Sequence, residues 1–192
     1  MKKFLCVPLY LRRKQKKIWK ELNYKCIAVV DNSIDNIKKE VIFHVEKLFN
    51  SFSEAFVVIW FFDSGTALPY YSDVLKILTL VSKNDNYLLY KINKMLDIEK
   101  IASNWGEYDS LDIIFTKDIN DLIDVFPTDF YKSYNSYRKD FMKIIENSDA
   151  ILSDSGDGEE FQLILSDHTY EFFKSKNYLK GLIIAPINNK IV

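Results

Sequence analysis

An acidic run late in the chain has the residue types that bind hard cations. Residues 154–160 read Asp-Ser-Gly-Asp-Gly-Glu-Glu, and clustered carboxylates attract Ca²⁺ or Mg²⁺. The spacing does not fit an EF-hand loop, because placing Gly158 at the invariant glycine puts the first and last ligand positions on Ser153 and Ile164. Aspartate and glycine are also the residues that a tight turn between two strands requires. We therefore favour a hairpin turn over a metal site, and we expect no cofactor.

The same hairpin offers a second arrangement of acidic residues. Metal-dependent nucleases often place one carboxylate near the end of a strand and an acid-x-Lys triplet on the next strand. In this chain Asp149 or Asp154 takes the first place, and Glu160-Phe161-Gln162 takes the second. Glutamine stands where the lysine that orients the attacking water is expected. A metal-dependent nucleic-acid hydrolase that uses residues 149–162 is therefore an alternative, not the leading interpretation.

The other reactive side chains stand alone. His44 and His168 have no cysteine or second histidine nearby at the spacing of zinc ligands. Cys6 and Cys26 lack a CxxC pattern; they can pair with each other, but so few cysteines are more typical of buried thiols in a reducing cytosol. The sequence contains no nucleophile elbow, dinucleotide-binding loop or P-loop. It therefore predicts no catalytic residues.

A basic stretch near the N-terminus has the composition of a phosphate-binding segment. It reads Arg12-Arg13-Lys14-Gln15-Lys16-Lys17, with Tyr10 and Trp19 at its edges. Across residues 12–20 the cations can contact phosphates while the rings stack on bases, or the segment can lie against an anionic membrane surface. The simpler interpretation, which we favour, is a solvated helix or loop that balances the acidic remainder of the chain.

The formal net charge of −1 is the sum of two unlike parts. Residues 1–25 contain nine basic side chains and one acidic side chain, a net charge of +8, so the remaining 167 residues carry a net charge of −9. Residues 146–171 contain eight acidic side chains and neither Lys nor Arg, and residues 97–129 contain nine acidic side chains against two lysines. The overall balance excludes a polycation, while the asymmetry indicates a partner that is recognised electrostatically.

Aromatic residues are interleaved with these acidic tracts, and together they predict a surface that binds another protein. Rings at the desolvated centre of an interface, with charges around them, give tight and fast-forming complexes. Many of these rings must also belong to the core. The carboxylates assigned to partner contact are Asp118, Asp121, Asp124, Asp154, Asp157, Glu159 and Glu160, and the rings are Trp105, Tyr108, Phe126, Phe130, Tyr131, Tyr134, Tyr137, Phe161 and Tyr170.

Hydrophobic patterning predicts alternating strands and helices. The clearest element is a helix from about Ile34 to Phe52, capped by Ser33, whose apolar residues recur at three- and four-residue steps. Ala55–Phe62 is apolar on both faces and predicts a central strand. The other predicted strands are Phe4–Leu11, Lys25–Val30, Tyr87–Ile92, Leu111–Phe115, Ala150–Ser153, Glu160–Leu165 and Gly181–Ala185, and the other predicted helices are Arg12–Leu22, Ser72–Val81, Lys94–Ala102, Asp118–Phe126, Thr128–Glu146 and Asp167–Lys176.

These elements predict one α+β (or α/β) domain over residues 1–192, with a mixed central sheet flanked by helices, a late β-hairpin and a basic N-terminal segment 1–25. The composition, 48 % hydrophobic and 28 % charged, is that of a globular protein. The first apolar run is short, contains Pro8 and is followed by RRKQKK instead of a cleavage site, so we expect a cytoplasmic protein. No segment approaches the roughly 18 apolar residues of a membrane span.

Two stretches of the chain resemble a known group of proteins. They are KCIAVVDNSIDNIKKEVIFHVEKLFNSF followed by AFVVIWFF, and the later hairpin AILSDSGDGEEFQLIL. In this pattern the chain resembles the immunity proteins of bacterial polymorphic toxins and contact-dependent growth inhibition systems. The resemblance implies a non-enzymatic protein that binds the catalytic domain of a cognate toxin, often a nuclease, and blocks it with acidic residues. The basic segment 1–25 departs from a uniformly acidic inhibitor, and the resemblance assigns no role to individual residues.

Overall fold

The computed structural model describes residues 1–8, 11, 13–52, 54–60, 76, 78–83, 87–103, 105, 110–116, 120, 141–154 and 159–183. The strands in this part of the chain are β1 (Lys2–Cys6), β2 (Tyr24–Val30), β3 (Glu54–Trp60), β4 (Thr79–Lys83), β5 (Tyr87–Ile92), β6 (Ser110–Thr116), β7 (Ala150–Asp154), β8 (Glu160–Ser166) and β9 (Leu182–Ile183). The helices are α1 (Arg13–Trp19), α2 (Ile34–Phe49), α3 (Met95–Ser103), α4 (141–146) and α5 (Asp167–Ser175).

The strands form one mixed sheet in the order β4-β5-β3-β6-β7-β8-β2-β1-β9. Neighbouring strands are antiparallel except β1 and β9, which are parallel. Strands β2 and β3 therefore run in the same direction with β8, β7 and β6 between them. Helix α2 joins β2 to β3 and contacts β7 and β8 on the way. The centre of the sheet is thus made from segments that are far apart in the sequence.

Each face of the sheet carries its own hydrophobic core, because side chains alternate between the two faces along every strand. On the α2 face, Val41 and Leu48 of α2, Ile98 of α3 and Phe173 of α5 pack in one cluster of buried residues. On the opposite face, which we call the α1 face, Trp19 of α1 packs with Phe141, Met142, Ile144 and Ile145 of α4. The sheet is therefore covered on both sides, and the α+β class with a mixed sheet and a late hairpin is confirmed.

The predicted helix after Ser33 is confirmed, with two differences. It ends at Phe49 instead of Phe52, and Asn50 follows it as the C-cap. Ser33 occupies the N-cap position, but its hydroxyl makes no capping hydrogen bond. Its backbone N–H instead donates to the Asp31 carboxylate at 2.9 Å. The helix is held mainly by its buried apolar stripe, as expected when tertiary packing supplies most of the stability of a helix.

Most of the other predicted elements are present where the structure describes them, but the predicted strand Phe4–Leu11 ends at Cys6 and the predicted helix Arg12–Leu22 ends at Trp19. One predicted helix is replaced in part by a strand. Thr79–Lys83 is strand β4, whereas the sequence predicted a helix through Val81. This strand pairs with the next strand, β5, across a register shift between Leu80 and Ser82, so strand pairing overrode the helical pattern of the sequence. Residues 72–75, 118, 119, 121–126 and 128–140 of the predicted helices lie outside the described residues.

Candidate functional site

The β7–β8 hairpin separates the carboxylates that the hydrolase alternative requires. Asp154 lies two residues after Leu152, which packs in the α2-face core, so its side chain is on that face. Glu160 and Gln162 flank Phe161, another α2-face core residue, so both project to the α1 face. An ion bound on one side of the sheet cannot contact carboxylates on both.

Asp149 is remote from the same residues. It precedes β7 and its carbonyl accepts a hydrogen bond from the backbone N–H of Ser166 at 3.0 Å. Ser166 ends β8 and Glu160 begins it, about 20 Å away at roughly 3.3 Å per residue. Among the described residues no group of three His, Cys, Asp or Glu side chains is placed to hold a metal ion. Residues 149–154 and 160–162 therefore do not form the carboxylate site that the hydrolase alternative requires. Residues 155–158 lie outside the described residues.

The carboxylates assigned to partner contact differ in their burial. The side chain of Asp154 is 1 % exposed, so its assignment to a partner surface is wrong. Glu159 is exposed and Glu160 is half-buried. Asp97 and Asp112, which contribute to the negative charge of residues 97–129, are also 1 % exposed. Charge counted along the sequence thus overstated the acidic surface; four further assigned residues, Asp118, Asp121, Asp124 and Asp157, lie outside the described residues.

The described rings of the predicted partner surface belong to the core. Trp105 and Phe161 are completely buried, and their ring centroids lie 6.1 Å apart in an edge-to-face contact. Tyr170 is also buried. These three side chains cannot anchor a partner, and the alternative that they are packing residues is correct. The other six assigned rings lie outside the described residues: Tyr108, Phe126, Phe130, Tyr131, Tyr134 and Tyr137.

Acidic residues from the loop after β2, the start of α2 and the start of β8 lie at one end of the sheet. The backbone N–H of Asp31, just after β2, donates to the carbonyl of Glu159 at 3.1 Å, and Glu160 pairs with the last residue of β2. Asp35 is exposed in the first turn of α2. We call Asp31, Asp35, Glu159 and Glu160 the acidic end. Its residues are up to 129 positions apart in the sequence, so only the strand pairing brings them together.

The Asp31 carboxylate is used by the fold itself. It accepts hydrogen bonds from the amino group of Met1 at 2.7 Å and from the Asn36 amide at 3.1 Å. These bonds, with that from Ser33, lower the pKa of the Asp31 carboxyl below its usual range. Asp31 therefore ties the start of β1 to the start of α2, and it remains negatively charged in mildly acidic solution.

Helix α1 presents a dense group of exposed cations. Trp19 is buried in the α1-face core and fixes one end of the helix to the sheet, while Ile18 is 49 % exposed. The segment is thus a solvated helix, one form that the favoured interpretation allowed. Among the described residues, none of these cationic side chains is in an ion pair with a carboxylate. We call these exposed residues the basic face: Arg13, Lys14, Lys16, Lys17 and Lys20. Arg12, assigned with them, lies outside the described residues.

A cavity of about 400 Å³ lies beside the basic face. Its aromatic wall consists of Trp19 and Tyr24, whose ring centroids are 6.3 Å apart, and Lys20 and Lys25 line it as well. Burial, with the nearby carboxylates of Asp149 and Glu146, raises the pKa of Tyr24 to about 12, so its hydroxyl stays neutral. That hydroxyl donates to the Ser148 carbonyl at 3.0 Å. The cavity is large enough for a small planar group next to cations that can hold an anion.

Three polar side chains form a row across the middle of the α1 face. Asp112 of β6 pairs with Ser153 of β7, which pairs with Gln162 of β8, and all three are buried. Polar groups inside a sheet core cost free energy unless they are hydrogen-bonded. In the sequence, each of these apolar strands has a polar residue at a position that faces the core. That pattern alone does not show that the three strands are neighbours in the sheet, or that the three residues are in register.

A second buried polar group links β1 to α2. The Lys3 ammonium lies 2.8 Å from a carboxylate oxygen of Glu40, and His44 Nε2 lies 3.2 Å from the same oxygen. Despite the opposing effect of burial, hydrogen bonds and charges from His44 and Lys3 lower the pKa of Glu40 to about 2. Burial lowers the pKa of His44, which packs against the ring of Phe173. His44 is therefore a neutral core residue.

Two regions of the described surface thus have the charge and exposure to bind a partner, the acidic end and the basic face with its cavity. No helix in the described ranges has the length and apolar character to cross a bilayer. Comparison with family models, curated proteins and solved structures found no match for this chain.

Proposed function

We propose that the protein is a non-enzymatic inhibitor of the immunity type, which binds the catalytic domain of a cognate bacterial toxin, a nuclease, in the cytoplasm. The observation that carries this proposal is the acidic end, where Asp31, Asp35, Glu159 and Glu160 gather from three segments. A cleft that binds nucleic acid is rich in Lys and Arg. Carboxylates held on a rigid sheet complement such a cleft and exclude its substrate by occupying it.

The position of these carboxylates suits fast recognition. Glu159 and Glu160 sit at the start of a strand whose next five residues are buried, so their backbone is firmly held. Complementary charge raises association rates to about 10⁸–10⁹ M⁻¹s⁻¹ at low salt, against about 10⁵–10⁶ M⁻¹s⁻¹ without it. An inhibitor that must capture a toxin before it damages nucleic acid benefits directly from such a rate.

Co-expression with the toxin encoded beside this gene tests the proposal. We expect the protein to restore growth and to purify with the toxin domain as a complex. Glu159→Lys with Glu160→Lys should slow complex formation at low salt, because it reverses charge at the acidic end. The matched control is Glu99→Lys with Glu171→Lys, which makes the same charge change at exposed positions elsewhere. Failure to restore growth or to form a complex would exclude this function.

The basic face favours a second candidate function, binding of single-stranded nucleic acid. Five exposed cations without an ion pair among the described residues lie next to a cavity walled by Trp19 and Tyr24. Cations that follow a phosphate backbone beside aromatic rings that stack on bases are the elements of sequence-tolerant single-strand binding.

Fluorescence anisotropy with a labelled single-stranded oligonucleotide separates the two candidates. The test variant replaces Arg13, Lys14, Lys16 and Lys17 with Gln, and the control replaces the exposed Lys39, Lys94, Lys176 and Lys180 with Gln. Binding that only the test variant loses supports the second candidate. Equal binding by both variants, or none by the unmodified protein, excludes it. The test variant should still form the toxin complex if the acidic end is the binding site.

A further inference from the structure

Cys6 and Cys26 occupy directly opposed positions on two antiparallel strands. Cys6 ends β1 and its register partner on β2 is Cys26. Their Sγ atoms are 3.2 Å apart, and both cysteines are free thiols. In the sequence the two cysteines are twenty residues apart and belong to no motif. The pairing of β1 with β2 brings their thiols next to each other.

The backbone at this pair already has the geometry of a disulfide. Opposed residues of an antiparallel pair have Cα atoms about 4.5 or 5.5 Å apart, depending on their place in the ladder. Disulfide-bonded cysteines have Cα atoms about 4.4–6.8 Å apart, with a sulfur–sulfur bond of about 2.0 Å. Both ladder positions fall inside this range. Rotation of the two side chains is therefore enough to bring the sulfurs to bonding distance.

The two thiols differ in access to solvent. Cys6 is half-buried and lines the 400 Å³ cavity, so a small molecule in the cavity can reach its sulfur. Cys26 is buried, and its thiol donates a hydrogen bond to the side-chain amide oxygen Oε1 of Gln162, with Sγ 3.8 Å from that oxygen. Burial raises the pKa of the Cys26 thiol. An oxidant in the cavity therefore meets Cys6 first, with Cys26 placed to attack next.

We propose that Cys6 and Cys26 form an oxidisable dithiol site that a hydroperoxide entering this cavity converts to an intramolecular disulfide. The Cys6 thiolate attacks one peroxide oxygen, the O–O bond breaks, and the products are a Cys6 sulfenic acid and hydroxide. The Cys26 sulfur then attacks the Cys6 sulfur and forms the S–S bond, while its proton and the departing hydroxyl leave as water. Two thiols and one hydrogen peroxide thus give one disulfide and two waters, the peroxide being reduced.

The disulfide would close a loop that contains the whole basic face. Residues 7–25 lie between the cysteines and include α1 with Arg13, Lys14, Lys16 and Lys17. The bond ties both ends of this loop and leaves the exposed cations free. Oxidation therefore stabilises the segment that carries the basic face without adding a charge to it.

The test uses the full-length protein, reduced with dithiothreitol, desalted and treated with a few equivalents of hydrogen peroxide. Alkylation followed by mass spectrometry should show loss of two hydrogen atoms and no alkylated cysteine, with monomer on a non-reducing gel. The melting temperature should rise by about 5 °C or more and return after dithiothreitol. Two alkylated cysteines, a Cys6 sulfinic acid beside an alkylated Cys26, or a disulfide-linked dimer would each overturn the proposal.

Single variants assign the order of the two steps. In Cys26→Ala the Cys6 sulfenic acid has no partner, so dimedone should label Cys6 after peroxide treatment. In Cys6→Ala the buried Cys26 should react at least tenfold more slowly with peroxide than Cys6 does in Cys26→Ala. Equal rates in the two variants would contradict the role of Cys6 as the first thiol to react, and circular dichroism shows whether each variant is folded.

Discussion

On the basic face, four cations lie on the short helix α1, Lys20 follows directly after it, and all five are exposed. The acidic end instead collects its carboxylates from three segments, and the fold itself uses Asp31. Asp31 holds the Met1 amino group and the Asn36 amide, while Lys14 and Lys17 hold no carboxylate of the described residues. Charge that satisfies other groups of the molecule stabilises the fold, and charge left in solvent is available to a partner. The two regions therefore require different measurements.

Neutralising the basic face is expected to have the largest effect on binding. Replacing Arg13, Lys14, Lys16 and Lys17 with Gln removes about four phosphate contacts if the segment binds single-stranded nucleic acid. The plot of log Kobs against log salt should then become less steep by about 3, and affinity at low salt should fall by about a hundredfold or more. Oligonucleotide binding titrated from low to physiological salt measures both quantities.

The melting temperature of the same variant separates binding from folding. Because no described carboxylate pairs with these cations, the variant should melt at the temperature of the unmodified protein or slightly above it. A clear loss of stability would show that the basic face supports the fold, and the contrast with the acidic end would then disappear.

The buried cluster of Lys3, Glu40 and His44 should produce the next largest effect, on stability in acid. The folded-state pKa of Glu40 is about 2, below its ordinary value, so its contribution is present above about pH 4.5 and is lost as the pH falls from there towards 2. The pKa of His44 is lowered as well. Its contribution is therefore present above about pH 6.5 and declines as the pH falls below that value, because only the unfolded chain takes up the proton.

Chemical denaturation between pH 7 and pH 3 measures these contributions. We expect the free energy of unfolding to fall on acidification, and Glu40→Gln to lower it at pH 7 by on the order of 3 kcal/mol while weakening the dependence below pH 4.5. Glu99→Gln, at an exposed position of α3, is the control. If Glu40→Gln and Glu99→Gln give the same pH profile, the cluster does not carry the acid sensitivity.

Local patterns predicted the elements of this fold much better than its neighbour relations. The apolar stripe of α2 and the apolar run of β3 each followed from residues close in sequence. The strand β4 did not, because its pairing with β5 decides its conformation. The burial of Asp154 depends on the place of β7 in the middle of a sheet that is covered on both faces, and the Cys6–Cys26 pair depends on the β1–β2 register. Both are set by the topology of the sheet, which local periodicity does not encode.

The Asp31 contacts predict a smaller loss of stability. Asp31→Asn removes the charge that holds the Met1 amino group at 2.7 Å and weakens the bonds to Ser33 and Asn36. The melting temperature at pH 7 should fall, but by less than in Glu40→Gln, because the Met1 amino terminus is 27 % exposed, whereas the Lys3 side chain that pairs with Glu40 is 8 % exposed and loses its buried counter-charge. High salt should reduce the difference between Asp31→Asn and the unmodified protein. A variant as stable as the unmodified protein at low salt would show that all charge at the acidic end is available to a partner.

The smallest expected effect is a gain in stability from a substitution on the basic face. It tests whether the charge of the basic face serves a partner and not the fold. Helix α1 has no acidic residue in its first turn, where a carboxylate would complement the helix dipole. Lys14→Glu supplies one, removes the repulsion between Lys14 and Lys17 and places a carboxylate three residues before that lysine. We expect a gain of about 0.5–1 kcal/mol, or about 1–4 °C in melting temperature, together with weaker oligonucleotide binding.

Lys176→Glu makes the same charge change at the C-cap of α5, where it opposes the dipole, so it should lower stability slightly and leave oligonucleotide binding unchanged. A gain in stability at position 14 that accompanies a loss of binding would mean that the lysine is kept at a cost to the fold, as expected of a contact residue. A loss of stability at position 14 would instead mean that α1 needs its positive charge in order to fold.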